Sequence, residues 1–167
     1  TSDNPLCQRA AVECMSNLAP EDSIVEKFVE PESMDVKIMV GFCTSEDQKT
    51  QIAASGALAT LAEVPEVSAA IIGTKGGVDA FVEMAIVGEE PGLLHRAAVA
   101  MKQMVLTQMD LIVGPAPQSP DTTPEHCLPF LGALTVLSKN PVAPVKQAAL
   151  TAMSRLRWSG RCETRGP

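Results

Sequence analysis

Arg9-Ala10-Ala11-Val12-Glu13-Cys14-Met15-Ser16-Asn17-Leu18 is a phrase whose internal pattern recurs along the chain. Within it Ala11, Cys14, Met15 and Leu18 set two small and two large residues at i, i+3, i+4 and i+7, which is one face of a helix. The same order of sizes returns at Ala54, Ala57, Leu58 and Leu61, then at Ala97, Ala100, Met101 and Met104. A fourth copy lies at Ala149, Ala152, Met153 and Leu156. The steps are 43, 43 and 52 residues. Small positions let a neighbouring helix approach closely, and large ones fill the groove between helices. One unit cannot bury such a stripe alone, so copies must stack and share a core. Met15 and Leu58 are accordingly expected to be buried, with a charge at either position unfolding the chain.

A period of roughly 40–47 residues belongs to helical solenoids of the armadillo and HEAT type. The predicted fold is all-α: an armadillo-like superhelix of about three to four repeats running through residues 1–167, without a sheet. Four long helices carry the stripe. Asn4 is the expected N-cap of the first, with Pro5 at its first position and Pro20 as its stop. Ser45 and Gln48 have capping-box spacing for the second, which ends before Pro65. Pro91 opens the third. Asn140 and Pro141 open the fourth, with Pro144 still in its first turn and Gly160 closing it. Between them Asp35–Cys43, Gly77–Val87 and Pro129–Leu137 read as buried second helices. Shorter pieces at Ile24–Val29, Val67–Ile72 and Gln108–Val113 read as the first helix of each unit, and three helices per unit favour the armadillo form. Residues 114–124, with Pro115, Pro117, Pro120 and Pro124 and no large apolar residue, read as a proline-rich surface insertion. That insertion accounts for the longer last step.

Composition agrees. Of 167 residues 46% are hydrophobic and only 3% aromatic, which suits stacked helices better than a β-sandwich. The net charge of −7 argues against nucleic acid or an anionic membrane as partner. Arg155, Arg157, Arg161 and Arg165 crowd the end, where cations complement a helix C-terminus. Five scattered cysteines without a C-x-x-C pair indicate neither a disulfide framework nor a zinc site. Cys14 reads as a small hydrophobe at a packing position, and unpaired thiols suit the cytoplasm. The chain shows no signal peptide and no apolar run of membrane-spanning length. It begins at Thr1 without methionine, almost inside an element, and reads as part of something longer.

Chemistry for catalysis is hard to assemble from these residues. The two histidines, His95 and His126, stand apart, and no metal-binding motif surrounds them. Gly73-Thr74-Lys75-Gly76-Gly77 lacks the spacer and ending of a phosphate loop, and Gly76-Gly77 suits a tight turn instead. Glu46-Asp47 and Glu89-Glu90 fall at helix starts, where carboxylates complement the dipole. No catalytic residue, cofactor or metal ligand is expected. Beside the buried stripe each long helix carries a polar residue, namely Asn17, Thr60, Gln103 and Arg155. A solenoid curves so that such a row lines a concave groove. Asn and Gln amides donate and accept together, which suits an extended peptide held by its backbone.

The phrase at Arg9–Leu18 resembles the UCS domain of the Unc/Cro/She myosin chaperones. Asp35-Val36-Lys37-Ile38-Met39-Val40 leading to Cys43, the acidic Glu46-Asp47 and the Ile52–Ala62 stretch follow in that family's order. His95-Arg96 is similar to its H-R-G step, with Ala97 standing in place of glycine. The resemblance covers residues 5–106. It implies an armadillo solenoid that binds the myosin motor domain through its groove and acts as a chaperone or co-chaperone. Animal members carry an N-terminal tetratricopeptide module for the heat-shock chaperone of the ninety-kilodalton class, which this chain lacks, so any link to that chaperone runs through sequence outside it. The residues carried over as protein-binding are Asn17, Glu13 and Arg9, with Thr60 and Gln103 from the polar row. The alternative is a generic armadillo adaptor with a different client.

Overall fold

The computed structural model describes residues 4–30, 33–113 and 127–158. Among these residues the chain is all-helical, with nine helices and no strand. Insertion 114–124, together with Gly160, Arg161 and Arg165, lies outside them.

The first long helix, α1 (Pro5–Leu18), starts as its sequence requires, with Asn4 Oδ1 accepting from the Leu6 N–H at 2.9 Å. Two short helices follow, α2 (Asp22–Val29) and α3 (Met34–Phe42). The second long helix, α4 (Gln48–Leu61), is capped by Asp47 and not by the Ser45–Gln48 box. Asp47 takes the Thr50 N–H, while Ser45 Oγ accepts from the Asp47 N–H and shapes the approach to the cap. A carboxylate two residues nearer the helix wins because it also meets the helix dipole.

Helices α5 (Pro65–Gly73) and α6 (Gly77–Val87) are joined through Gly76, whose φ of 79° is left-handed backbone that glycine adopts freely. A Cβ on Gly77 would run into the Ile71 carbonyl oxygen, so both glycines of this turn are required. Third among the long helices is α7 (Pro91–Val113), which absorbs the short helix expected at Gln108–Val113. The two pieces meet at a kink where Gln108 has φ −135° and ψ 41°. Gln108 Nε2 donates to the Pro65 carbonyl at 2.8 Å, which holds that bend against α5. After α8 (Cys127–Leu137), the last long helix α9 (Ala143–Trp158) begins at Ala143 instead of Pro141. Asn140 Oδ1 accepts from the Val142 N–H in a turn ahead of the helix, and Pro144 sits in the first helical turn.

Long helices pack in series, α1 on α4, α4 on α7 and α7 on α9. The second helices do likewise, α3 on α6 and α6 on α8, and α2 packs on α5. Phe28 of α2, Phe81 of α6 and Phe130 of α8 are fully buried, so three of the five aromatic residues of the chain fill the core. Each such ring contributes ~1.5–3 kcal/mol relative to leaving it in water.

Burial along the stripe divides by copy. In α4, α7 and α9 all twelve stripe residues are buried. In α1 the expectation fails: Ala11 and Cys14 are exposed, Leu18 is 45% exposed and Met15 is half-buried. The reason is positional. α4 packs between α1 and α7, and α7 between α4 and α9, whereas on α1 the stripe residues Ala11 and Met15 border an apolar cleft with Phe28 of α2 and Ile38, Met39 and Phe42 of α3, which these short helices leave open. The adjacent register shows the converse. Val12, Ser55 and Ala98 are buried, but Leu150 at the equivalent place in α9 is 43% exposed.

Sulfur chemistry also departs from the sequence reading at one residue. Cys7, Cys14 and Cys43 are free thiols, but buried Cys127 is disulfide-bonded. Burial pushes the Cys43 thiol up to about 12, so it stays protonated as a packing residue. Among the described residues no helix is long and apolar enough to cross a membrane.

Candidate functional site

A groove with a volume of about 320 Å³ runs across three successive long helices. Ser16 of α1, Gly56, Thr60 and Glu63 of α4, and His95, Arg96 and Val99 of α7 line it. Helical spacing accounts for this grouping: Gly56, Thr60 and Glu63 lie at i, i+4 and i+7 on one side of α4, and Arg96 and Val99 are a turn apart on α7. Gly56 carries no side chain, and the Arg96 side chain lies over the space this leaves. A Cβ on Gly56 would stand 2.8 Å from Arg96 Nε.

Of the residues expected from sequence, Thr60 lines this groove, exposed, with its hydroxyl donating to the Gly56 carbonyl at 3.2 Å. Gln103 is placed one turn further along α7, where its Nε2 donates to Glu63 Oε1 at 2.8 Å. Its amide is therefore tied to the groove's own carboxylate. Asn17 is exposed on α1 beside the lining residue Ser16, and Glu13 is exposed one turn before it. Arg155 is exposed in the last turn of α9.

Arg9 is placed apart from this row. Its Nε donates to Asp47 Oδ2 at 2.8 Å and its Nη2 to Asp47 Oδ1, a bidentate pair that fastens α1 to the cap of α4. Asp47 also accepts from the Thr50 N–H at 3.0 Å and the Thr50 hydroxyl at 2.6 Å. The Arg9 guanidinium first, then Thr50, hold the Asp47 carboxyl well below the usual carboxylate range. A depressed folded-state value means that this group's contribution to stability is complete above its unfolded value of about 3.9 and is lost as pH falls below it. Asp47→Asn is therefore expected to flatten the fall in melting temperature below about pH 4, at the cost of a lower plateau near neutrality. Melting curves recorded from acid to neutral pH check this, and an acid limb as steep as in the unaltered chain would exclude Asp47 as its source.

Ser16, Gly56, Glu63 and Arg96 were not singled out as site residues from sequence. Gly56 and Glu63 carry the signal of register, since they flank Thr60 on the same side of α4, and Arg96 that of the His95-Arg96 step. Among the described residues no group of three His, Cys, Asp or Glu side chains is arranged to hold a metal ion. No protein-family model, curated protein or solved structure matches the chain.

Proposed function

We propose that this chain is an armadillo-like solenoid of the UCS type, which holds part of the myosin motor domain in the groove across α1, α4 and α7 and performs no covalent chemistry. Each kind of helix packing on its own kind, in series, supports the solenoid. So does the burial pattern, in which one register is open only in the first long helix and its neighbour only in the last. The observation that carries the function is the groove itself. It spans three stacked long helices and gathers polar side chains beside Asn17 and Glu13 of the UCS-like phrase.

Light scattering of a myosin motor fragment during heating, with and without this chain, is the direct test. Suppressed aggregation is the expected result. Asn17→Ala is expected to leave stability within ~1 kcal/mol, because an exposed residue abandons no buried partner. Its affinity for the motor fragment should fall by an amount worth ~1–3 kcal/mol, the cost of stranding a desolvated peptide group. Asn17→Tyr should weaken binding further by obstructing the groove mouth. If both variants melt normally and bind the motor fragment as well as the parent, the groove is not the contact. If the parent neither binds the fragment nor delays its aggregation, the myosin reading falls and an adaptor with another client replaces it.

A further inference from the structure

Resting on the reading of the groove as the client face, we infer that Arg96 is an anchor for an acidic side chain, so that the client segment passing through carries an Asp or Glu at this point. The groove contains one cation and one carboxylate of its own, and they do not neutralise each other. Glu63 is engaged by the Gln103 amide. Arg96 commits one donor, Nη1, to the Gly92 carbonyl at 3.0 Å. Neither Arg96 nor Glu63 takes part in an ion pair within 4.0 Å among the described residues. Glu90 is the nearest carboxylate: its Oε2 and Arg96 Nη1 lie 2.9 Å and 3.1 Å from where a Cβ on Gly92 would stand, but the two make no ion pair within 4.0 Å. Glu90 Oε2 instead accepts from the Leu93 N–H at 2.6 Å, which leaves the Nε and Nη2 side of Arg96 to a ligand.

A guanidinium carries five N–H donors in a planar fork, and a carboxylate is the peptide group that matches two of them at once. Arg96 is held for that role. It is half-buried, it lies over the space left by Gly56, and its Nη1 bond to the preceding turn fixes its direction. A partly desolvated cation in a groove is screened less than one on an open surface, so pairing there outweighs the chain's overall negative charge, which acts over longer distances through water. His95, exposed in the same lining, adds a ring N–H next to the anchor. The lining draws on all three helices, from Ser16 of α1 through Gly56 and Thr60 of α4 to Val99 of α7, so the acidic group is placed on a side chain of an extended segment and not at a chain end.

The test is a nuclear magnetic resonance titration of the chain with three synthetic probes. They are acetyl-Gly-Gly-Glu-Gly-Gly-amide, its Gln counterpart, and acetyl-Gly-Gly-Gly with a free C-terminal carboxylate. The Glu probe is expected to shift the Gly56 and Thr60 amides and the Arg96 Nε–H, with an affinity roughly tenfold above that of the Gln probe, as a charge-assisted bidentate bond implies. Arg96→Gln should abolish that preference, while Arg157→Gln, exposed at the end of α9, should preserve it. Gly56→Ala gives an independent check. Its Cβ would displace the Arg96 side chain, so the preference should be lost while melting holds or rises, alanine being the better helix former. Equal affinity for the Glu and Gln probes overturns the inference, as does a preference that survives Gly56→Ala or a stronger response to the free terminus. Myosin binding is read separately. A chain that selects the Glu probe yet ignores the motor fragment keeps the anchor and loses the client, and the converse keeps the client and loses the anchor.

Discussion

Leu58→Asp is expected to leave the chain without a cooperative melting transition. Leu58 is fully buried in α4, between the long helices before and after it. An unpaired carboxylate there loses its water without gaining a partner, at a cost of several kcal/mol. Domains of this size are stable by only ~5–15 kcal/mol, so the substitution removes a large share of the total. Met15→Asp occupies the equivalent place in α1, and the repeat alone predicts the same fate for it. The structure separates the two. Met15 is half-buried at the edge of the open cleft between α1 and the short helices α2 and α3, where an aspartate side chain can turn toward solvent. It is expected to lose the packing of a partly covered methionine, ~1–2 kcal/mol, and to fold. Circular dichroism melting of both variants decides the matter. Near-normal melting of Leu58→Asp would mean that the stripe does not face the core.

That contrast marks where sequence stops being informative. Periodicity of small and large residues fixes which side of each helix is buried, and for α4, α7 and α9 this suffices, because each has neighbours on the relevant sides. For α1 the same periodicity is present, but only the short helices α2 and α3 border it and they leave a cleft, which a sequence pattern does not record. Caps were legible to within two residues. Asn4 was read directly, whereas Asp47 was displaced by the more familiar Ser45–Gln48 spacing, since only three-dimensional placement shows Arg9 reinforcing the carboxylate. The kink at Gln108 was hidden because its fixing contact, the Pro65 carbonyl, is remote in sequence. At the groove, Thr60 was readable from helical register. Arg96 over Gly56 was not, because that contact joins residues on two helices, and neither residue type announces it alone.

Ala97→Leu and Ala149→Leu are each expected to destabilise by ~1–3 kcal/mol, whereas Ala11→Leu should fall within about 0.5 kcal/mol of the parent. All three alter the same register of a long helix in the same way. Ala97 and Ala149 are fully buried in closely packed long helices, and a leucine there must push neighbours apart or leave its rotamer well. Ala11 is exposed, so the added atoms meet solvent. The neighbouring register supplies a test in the opposite sense. Val12, Ser55 and Ala98 are buried, and at this place α9 already carries a leucine, Leu150, exposed. Ala98→Leu should therefore be costly while Leu150→Ser is tolerated. Melting temperatures should shift by roughly 2–4 °C per kcal/mol for a chain of this length. The two registers together place the tolerant positions at opposite ends of the row of long helices, one in α1 and the other in α9, as their exposure requires. A damaging Ala11→Leu, equal to Ala97→Leu, would show that α1 is covered in solution and that the stack does not open at this end.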